Sequence, residues 1–227
     1  MTDEGTRVAE PWRNREFATA WEAGDQHRSV LQFPRALAAE LVADAVGEPA
    51  LVVDIGSGPG DFLAAFLDRF PGCRGVWTDA SEAMLEIAQD RLRSYGDRVE
   101  FEVRDMTDLS GADHLRGADV VMSSRATHHL SFESLQAFYR DAAALLAPGG
   151  WIVNLDHTGA GDVWDARFRR ARKALTGGER KKRLAPHRHD HPLCTPDQHL
   201  QALAAVGLRD GVLAWKNCHT CLLLATR

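Results

Sequence analysis

The run Leu51-Val-Val-Asp-Ile55, followed at once by Gly56-Ser-Gly58-Pro-Gly60 and then by a helical pattern from Phe62 to Arg69, limits the possible folds more than any other segment. A short continuous apolar run marks a strand covered on both faces, as in a parallel sheet. Glycines directly after it let the backbone turn tightly and approach a ligand closely, because no Cβ stands in the way. Such a unit needs strands beside it and helices above and below it. Gly75-Val-Trp-Thr-Asp79, Val99-Glu-Phe-Glu-Val103, Ala118-Asp-Val-Val-Met122 and Trp151-Ile-Val-Asn-Leu155 read as four more strands. Between them lie a helix capped by Ser81 and running to about Tyr95, and one from Ser131 to Leu146 closed by Pro148-Gly149-Gly150. A helical pattern from about Phe17 to Val46 precedes the first strand, with apolar residues three and four apart over 35–44. Strands alternating with helices imply right-handed crossovers and an open, doubly wound sheet.

After Asp156 the alternation lapses. Residues from about Thr158 to Pro192 form a polar insert rich in arginine and lysine, helical between Trp164 and Leu175. A helix from Pro196 to Val206 and two strands, Val212 to Trp215 and Thr220 to Ala225, then close the chain. The expected fold is α/β: a doubly wound, mostly parallel seven-stranded sheet with helices on both faces. At 227 residues this makes one domain over 1–227. Within it, 1–46 is expected to be a helical lid segment carrying Phe17, Trp21, His27 and Arg28, and 158–195 a substrate-side insert.

Composition removes several classes of function. Hydrophobic residues at 44% and charged residues at 26% suit a globular chain. A net charge of -5 argues against a generic nucleic-acid binder. The amino terminus has no apolar stretch of signal-peptide type, and no segment approaches the roughly 20 apolar residues that span a bilayer. The cysteines (Cys73, Cys194, Cys218, Cys221) are scattered and are expected as reduced thiols, which points to the cytoplasm. Cys218 and Cys221 have CxxC spacing, yet strand alternation sets them on opposite faces, as core and rim residues rather than a redox pair.

Glycine-rich turns serve nicotinamide, flavin and S-adenosylmethionine sites alike, and two details separate these. In the dinucleotide register, Asp61 occupies the position of the last small residue. Asp54 stands just before the turn, where a carboxylate repels a pyrophosphate and attracts the ammonium of a methionine moiety. Asp79, about 20 residues on, ends the second strand where an acid accepts hydrogen bonds from a ribose diol. Asp105 and Met106, after the third strand, offer a carboxylate to an adenine amino group and an apolar side chain to its ring. Taken singly, Asp79 also reads as a helix N-terminal charge, and Asp105 and Met106 as a loop acid and a core methionine. Asp54, Asp79, Asp105, Arg125 and Asp156 are expected along one rim of the sheet.

Together these segments resemble the class I, Rossmann-like S-adenosylmethionine-dependent methyltransferases of small-molecule type. Val53-Asp-Ile-Gly-Ser-Gly-Pro-Gly60 looks like their first motif, and Asp79-Ala-Ser-Glu-Ala-Met-Leu85 like their ribose-binding strand end and helix. Arg104-Asp-Met106 is similar to their adenine-side motif, and Leu146-Ala-Pro-Gly-Gly-Trp151 to the turn before their fifth strand. The likeness runs from about Leu51 to His157. It implies S-adenosyl-L-methionine as cofactor, with Asp54, Gly56, Ser57, Gly58 and Gly60 around the methionine part, and Asp79, Ala80 and Met84 at the ribose. Asp105 and Met106 then frame the adenine, and Ser124 and Arg125 complete the cofactor set.

Methyl transfer from a sulfonium is an in-line displacement, so a base is needed only where the acceptor must lose a proton. Ser123-Ser-Arg-Ala-Thr-His-His-Leu130 follows the fourth strand, and His128 or His129 can act as base near neutral pH. Packing of one of them under the next helix is the competing reading. Asp156 and His157 form a second candidate acid–base pair, and Arg125 binds a carboxylate or pairs with a surface acid. The turns that nucleobase methyltransferases place here are absent. His187, His189, His191 and His199 invite a metal reading, but Pro186 and Pro192 bracket a loop without the rigidity of a ligand set, so no metal is expected. The basic runs Arg167-Phe-Arg-Arg-Ala-Arg-Lys173 and Arg180-Lys-Lys-Arg183 lack aromatic interleaving and read as solvated faces rather than an RNA surface. The expected activity is methylation of an O, N or C atom of a small metabolite. Use of another carbon of the cofactor, an RNA substrate, or binding without turnover remain as alternatives. Oligomeric state is left open, a homodimer being one option.

Overall fold

The computed structural model describes residues 12, 14–24, 28–175 and 191–227 of the chain. His27, Arg180 to Arg183, His187 and His189 lie outside the described residues, as do the side chains of Trp21 and Arg28. Two helices, α1 (Arg15–Gly24) and α2 (Arg28–Val46), precede β1 (Leu51–Ile55). There follow α3 (Asp61–Arg69), β2 (Arg74–Asp79), α4 (Glu82–Arg91), β3 (Val99–Val103), β4 (Ala118–Ser124) and α5 (Phe132–Leu145). The chain ends in β5 (Leu146–His157), α6 (Asp162–Leu175), α7 (Pro196–Ala205), β6 (Arg209–Asn217) and β7 (Thr220–Thr226).

The seven strands lie in the order β3-β2-β1-β4-β5-β7-β6. The first five pair in parallel, and β7 inserts antiparallel between β5 and β6. The seven-stranded, mostly parallel sheet expected from the sequence is the one observed. From β1 the chain steps outward to β2 and β3, then crosses back to lay β4 on the other side of β1. Strand order therefore reverses between β1 and β4, and an open α/β sheet has its ligand crevice at such a reversal.

Side chains alternate between the two faces of the sheet. Val53, Ile55, Val121 and Ile152 pack with Leu135, Phe138 and Leu203, so α5 and α7 cover one face. Val52, Val120, Met122, Val153 and Leu155 pack with Val42, Phe62, Phe66 and Met84, so α2, α3 and α4 cover the other. Asp119 ties β4 to β1, its carboxylate accepting from the Ala50 and Leu51 amides at 2.7 and 3.0 Å.

Three boundaries differ from expectation. The amino-terminal helical pattern is two helices, the first ending at Gly24. The helix after Ser81 stops at Arg91 and hands over to a 3₁₀ segment, Arg93–Arg98, within which Gly96 leaves helical space at φ 56°. Pro148-Gly149-Gly150 does not lie outside the fifth strand: pairing begins at Leu146 opposite Ala118 and continues through an irregularity. At the start of α3, Gly60 has φ 86°, and a Cβ there would stand 2.8 Å from Leu92 Cδ1. Gly60→Ala combines a left-handed backbone penalty with overpacking, and lowers stability by about 2–3 kcal/mol in urea unfolding.

Candidate functional site

The glycine turn is held from several sides. Ser57 N donates to Thr78 O at 2.9 Å, Trp77 Nε1 to Gly58 O at 2.8 Å, and Gly60 N to Ser57 O at 3.0 Å. Gly58 N donates to Asp79 Oδ2 at 2.9 Å, so the turn after β1 is bonded directly to the acid that ends β2. The other Asp79 oxygen accepts from Ser81 N at 2.9 Å. Gly56 cannot carry a side chain: its φ is 66° and a Cβ would meet Ala126 Cβ at 2.6 Å, closing the seam between the turns after β1 and β4.

Over this turn opens a cleft lined by residues of the turns after β1, β2, β3 and β4. Gly56, Ser57 and Gly58 line it from the turn after β1, Asp79, Ala80 and Met84 from the end of β2 and α4, and Asp105 with Met106 from the turn after β3. Ser124 and Arg125 line it from β4, Arg125 holding a left-handed φ of 58° with its amide donating to Leu155 O at 3.1 Å. Two lining groups have a buried oxygen without a hydrogen-bond partner among the described residues, Asp105 Oδ2 and Ser124 Oγ. Asp105 Oδ1 is taken by the amide and hydroxyl of Thr107 at 2.9 and 2.8 Å, which leaves Oδ2 for a ligand donor. A buried acceptor without a donor is costly, and a ligand removes that cost.

Two residues expected at the cofactor stand elsewhere. Asp54 is fully buried and does not line the cleft. Alternation turns it toward α2 and α3 one residue before the strand ends, rather than onto the rim. Its Oδ2 accepts from Ser57 Oγ at 2.6 Å, so it reaches the cleft only through Ser57, and its Oδ1 is a further buried oxygen without a partner. Burial pushes its carboxyl up to about 7, against the opposing pull of the Ser57 hydroxyl and the Arg35 charge. Gly60 also lies off the cleft, packed on Leu92. Asp79 is pushed up to about 6, burial outweighing the amides of Gly58 and Ser81.

The histidines and Asp156 sort differently from expectation. Asp156, fully buried on β5, binds the imidazole of His128, not that of His157: Nδ1 of His128 lies 2.6 Å from Asp156 Oδ1. His157 gives Asp156 its backbone amide, and its ring bonds Thr220 Oγ1 at 3.1 Å. Thr127 Oγ1 and the His128 amide both donate to Asp156 Oδ2, at 2.8 and 3.0 Å. Burial alone raises this carboxyl. The charge and hydrogen bond of His128, with help from His157 and Thr127, instead hold it well below the ordinary range. His129 lines the cleft, its ring 4.2 Å from that of His128 and edge-on to Trp12 at 6.1 Å.

His191 and His199 do not come together. The His191 ring bonds the His129 carbonyl at 3.1 Å, while His199 is buried against Tyr139 at 2.7 Å. Among the described residues no group of three or more His, Cys, Asp or Glu is placed to hold a metal. Cys218 is exposed in the turn between β6 and β7, outside either strand, whereas Cys221 is buried with Sγ 3.0 Å from Thr158 Oγ1. On α6, Arg167 lies over Trp164 at 4.8 Å, and Phe168 packs on His219 at 5.2 Å.

Sequence reasoning missed Trp12, Arg35, Asp61, Phe62 and Arg104 as lining residues. Arg35 is buried on α2 with NH1 3.7 Å from Asp61, which also takes Arg91 at 2.9 Å. An arginine on the covered face of an apolar helix was the available signal.

A methyltransferase-domain family model matches residues 52–150, the span that holds the glycine turn, all three strand-end acids and the two histidines. Over that span the chain is similar to a methyltransferase domain. It is similar to trans-aconitate 2-methyltransferase of Variovorax paradoxus, 37% identical over 47% of this chain and 38% of that protein. The enzyme of that name from Streptomyces coelicolor is 28% identical over 80% of this chain and 58% of its own length. The chain thus spans less than two thirds of these curated relatives. Among solved structures, magnesium protoporphyrin IX methyltransferase of Synechocystis with bound SAH superposes over 99% of this chain and 100% of its own, with TM-score 0.68 and 20% identity. No helix among the described residues is long and apolar enough to cross a membrane.

The raised Asp54 carboxyl has a consequence for stability. Between about pH 4 and 7 the unfolded chain releases this proton while the folded chain keeps it, so folding stability falls as pH rises through that window. Asp54→Asn removes this component. Urea midpoints of the variant decline less between those pH values than those of the wild type; equal slopes contradict the assignment.

Proposed function

We propose that the chain transfers a methyl group from S-adenosyl-L-methionine to an O, N or C atom of a small-molecule acceptor. One observation supports this above the rest. Within the methyltransferase-domain span, the turn after β1 and the acids after β2 and β3 line a single cleft at the reversal of strand order. The relatives named for trans-aconitate and magnesium protoporphyrin agree with a small acceptor.

The residues suit the cofactor piece by piece. Each Asp79 oxygen accepts one amide and keeps a lone pair for a ribose hydroxyl. Asp105 Oδ2 accepts from the adenine amino group, Met106 packs on the ring, and Ala80 and Met84 flank the ribose. Gly56, Ser57 and Gly58 admit the methionine part, with Ser124 at its side and the Asp54 carboxyl behind Ser57 drawing its ammonium. Arg35 and Arg125 bring positive charge to the cleft lining, which favours its carboxylate. When bound, the cofactor supplies an electrophilic methyl on sulfur. The chain's part is alignment and exclusion of water, which we give to the lid segment 1–46, through Trp12 and α2, and to the insert 158–195.

Where the acceptor must lose a proton, we assign that proton to His128. Asp156 fixes its Nδ1–H, so Nε2 is the basic nitrogen, and Asp156 stabilises the imidazolium formed. His129 lines the cleft with its ring 4.2 Å from that of the buried His128, and His157 stays bonded to Thr220. Cytoplasmic location fits the free cysteines, Cys218 exposed among them.

Calorimetry with S-adenosylmethionine and S-adenosylhomocysteine tests the cofactor. Both bind, and Asp79→Ala weakens them about 10- to 100-fold through loss of charge-assisted hydrogen bonds. Failure of both to bind, or preference for a nicotinamide dinucleotide, ends the proposal. Mass spectrometry of reactions with small carboxylic acids, phenols and amines then reads methyl transfer. Binding without any methylated product selects a non-catalytic binder. With an acceptor in hand, His128→Asn lowers kcat about 10²- to 10⁴-fold while cofactor affinity holds.

A further inference from the structure

Behind the His128–Asp156 pair, a chain of buried polar groups runs across the face of the sheet covered by α5 and α7. Asn154, in the middle of β5 and 1% exposed, donates from Nδ2 to Thr127 Oγ1 at 2.9 Å and to Tyr139 Oη at 2.7 Å. Thr127 passes its own hydroxyl hydrogen to Asp156 Oδ2 at 2.8 Å. Tyr139, on α5, bonds His199 Nδ1, on α7, at 2.7 Å. Four elements thus contribute: β5, the turn after β4, α5 and α7.

Counting hydrogens fixes the direction of every bond. A hydroxyl has one hydrogen to give. Both hydroxyls here receive a hydrogen from the Asn154 amide, so each must give its own to the far neighbour. Thr127 therefore donates to Asp156, and Tyr139 to His199, whose Nδ1 must be bare. Burial pushes His199 down to about 4 and Tyr139 above its ordinary range, so both stay neutral, as the count requires. The opposite amide orientation would turn the Asn154 carbonyl to the hydroxyls, claim the Thr127 hydrogen and take a donor from Asp156. Asn154 Oδ1 is left buried without a partner among the described residues, the cost of the orientation observed. The titratable groups around Asp156 are His128, His157 and His199, with Tyr139 and Cys221 more remote.

We infer that Asn154 and Thr127 are positioning residues for proton transfer: they hold Asp156 as an acceptor with both oxygens bonded, and so hold His128 in its Nδ1–H tautomer. This inference rests on the proposed methyl transfer only in saying what the tautomer is for. Asp156 takes two donors on each oxygen, from Thr127 and three groups of His128 and His157, so it has no room to rotate away from the His128 ring. Removing the Thr127 hydroxyl leaves Oδ2 with one amide and frees that rotation.

Nitrogen-15 spectra of the histidine rings, with His128 assigned by its loss in His128→Gln, test this in the resting protein. The wild type shows His128 with Nδ1 protonated when neutral. Thr127→Val mixes in the Nε2–H tautomer, Asn154→Leu does so more weakly, and Thr127→Ser restores the wild-type spectrum. Should Asn154→Leu fail to fold, the threonine pair decides alone. An unchanged His128 tautomer in Thr127→Val overturns the inference, whether or not the chain proves to transfer methyl groups. With an acceptor that loses a proton, Thr127→Val lowers kcat about ten-fold with KM little changed, in line with losses on removing orienting partners of a functional histidine. Equal loss in Thr127→Ser counts against positioning by the hydroxyl.

Discussion

Coverage of the sheet on both faces is the constraint from which the rest of the molecule follows. A parallel strand with helices above and below has no solvated face, so every polar side chain in its interior must find its partners inside the protein. The central strands are accordingly mostly apolar, and the buried exceptions include Asp54 on β1, Thr78 on β2, Ser123 on β4, and Asn154 and Asp156 on β5. Because side chains alternate, residue parity decides which helices each exception meets. Asp54 faces α2 and α3 and pairs with Ser57, whereas Asn154 and Asp156 face α5 and α7 and join Thr127, Tyr139 and the histidines. The two faces thereby give the buried carboxyls of Asp54 and Asp156 different partners.

The fold was legible because its signal is local and repeated. Apolar runs ending in glycine or aspartate recur along the chain, and each strand–helix unit announces itself by composition. What escaped was of another kind. Gly60 belongs to the same glycine series as Gly56 and Gly58, but its neighbour is Leu92, which no local pattern reveals. The extra pairing of Leu146 to Gly150 hides behind a Pro-Gly-Gly turn signal that is real, yet lies within the strand.

At the site, backbone-defined positions were more legible than side-chain pairings. Strand ends in a doubly wound sheet share an edge whatever the sequence, so Asp79, Asp105 and Ser124 could be placed together from their spacing. Asp54 lies one residue inside its strand, and that single step moves it from rim to core. The partner of Asp156 was misjudged because adjacency suggested His157, while alternation turns neighbouring strand residues apart and brings His128 in from the next turn. Asn154 carried a signal that went unused: an amide in the middle of an otherwise apolar strand has to be satisfied by something.

Asp54 and Asp156 show what the surroundings, rather than burial itself, decide. Both carboxyls are fully buried at the ligand end of the sheet, yet burial lifts one to about 7 and the other lies well below the ordinary range. Asp54 has one hydroxyl donor and one oxygen left over; Asp156 has four donors and an imidazole. The first can therefore change charge when a cation arrives beyond Ser57, since an ammonium nearby favours the ionised form. The second is held charged by the His128 ring and its other donors. The period-two alternation of the strands keeps these two carboxyls on opposite faces of the sheet, so each takes its charge state from a different set of neighbours.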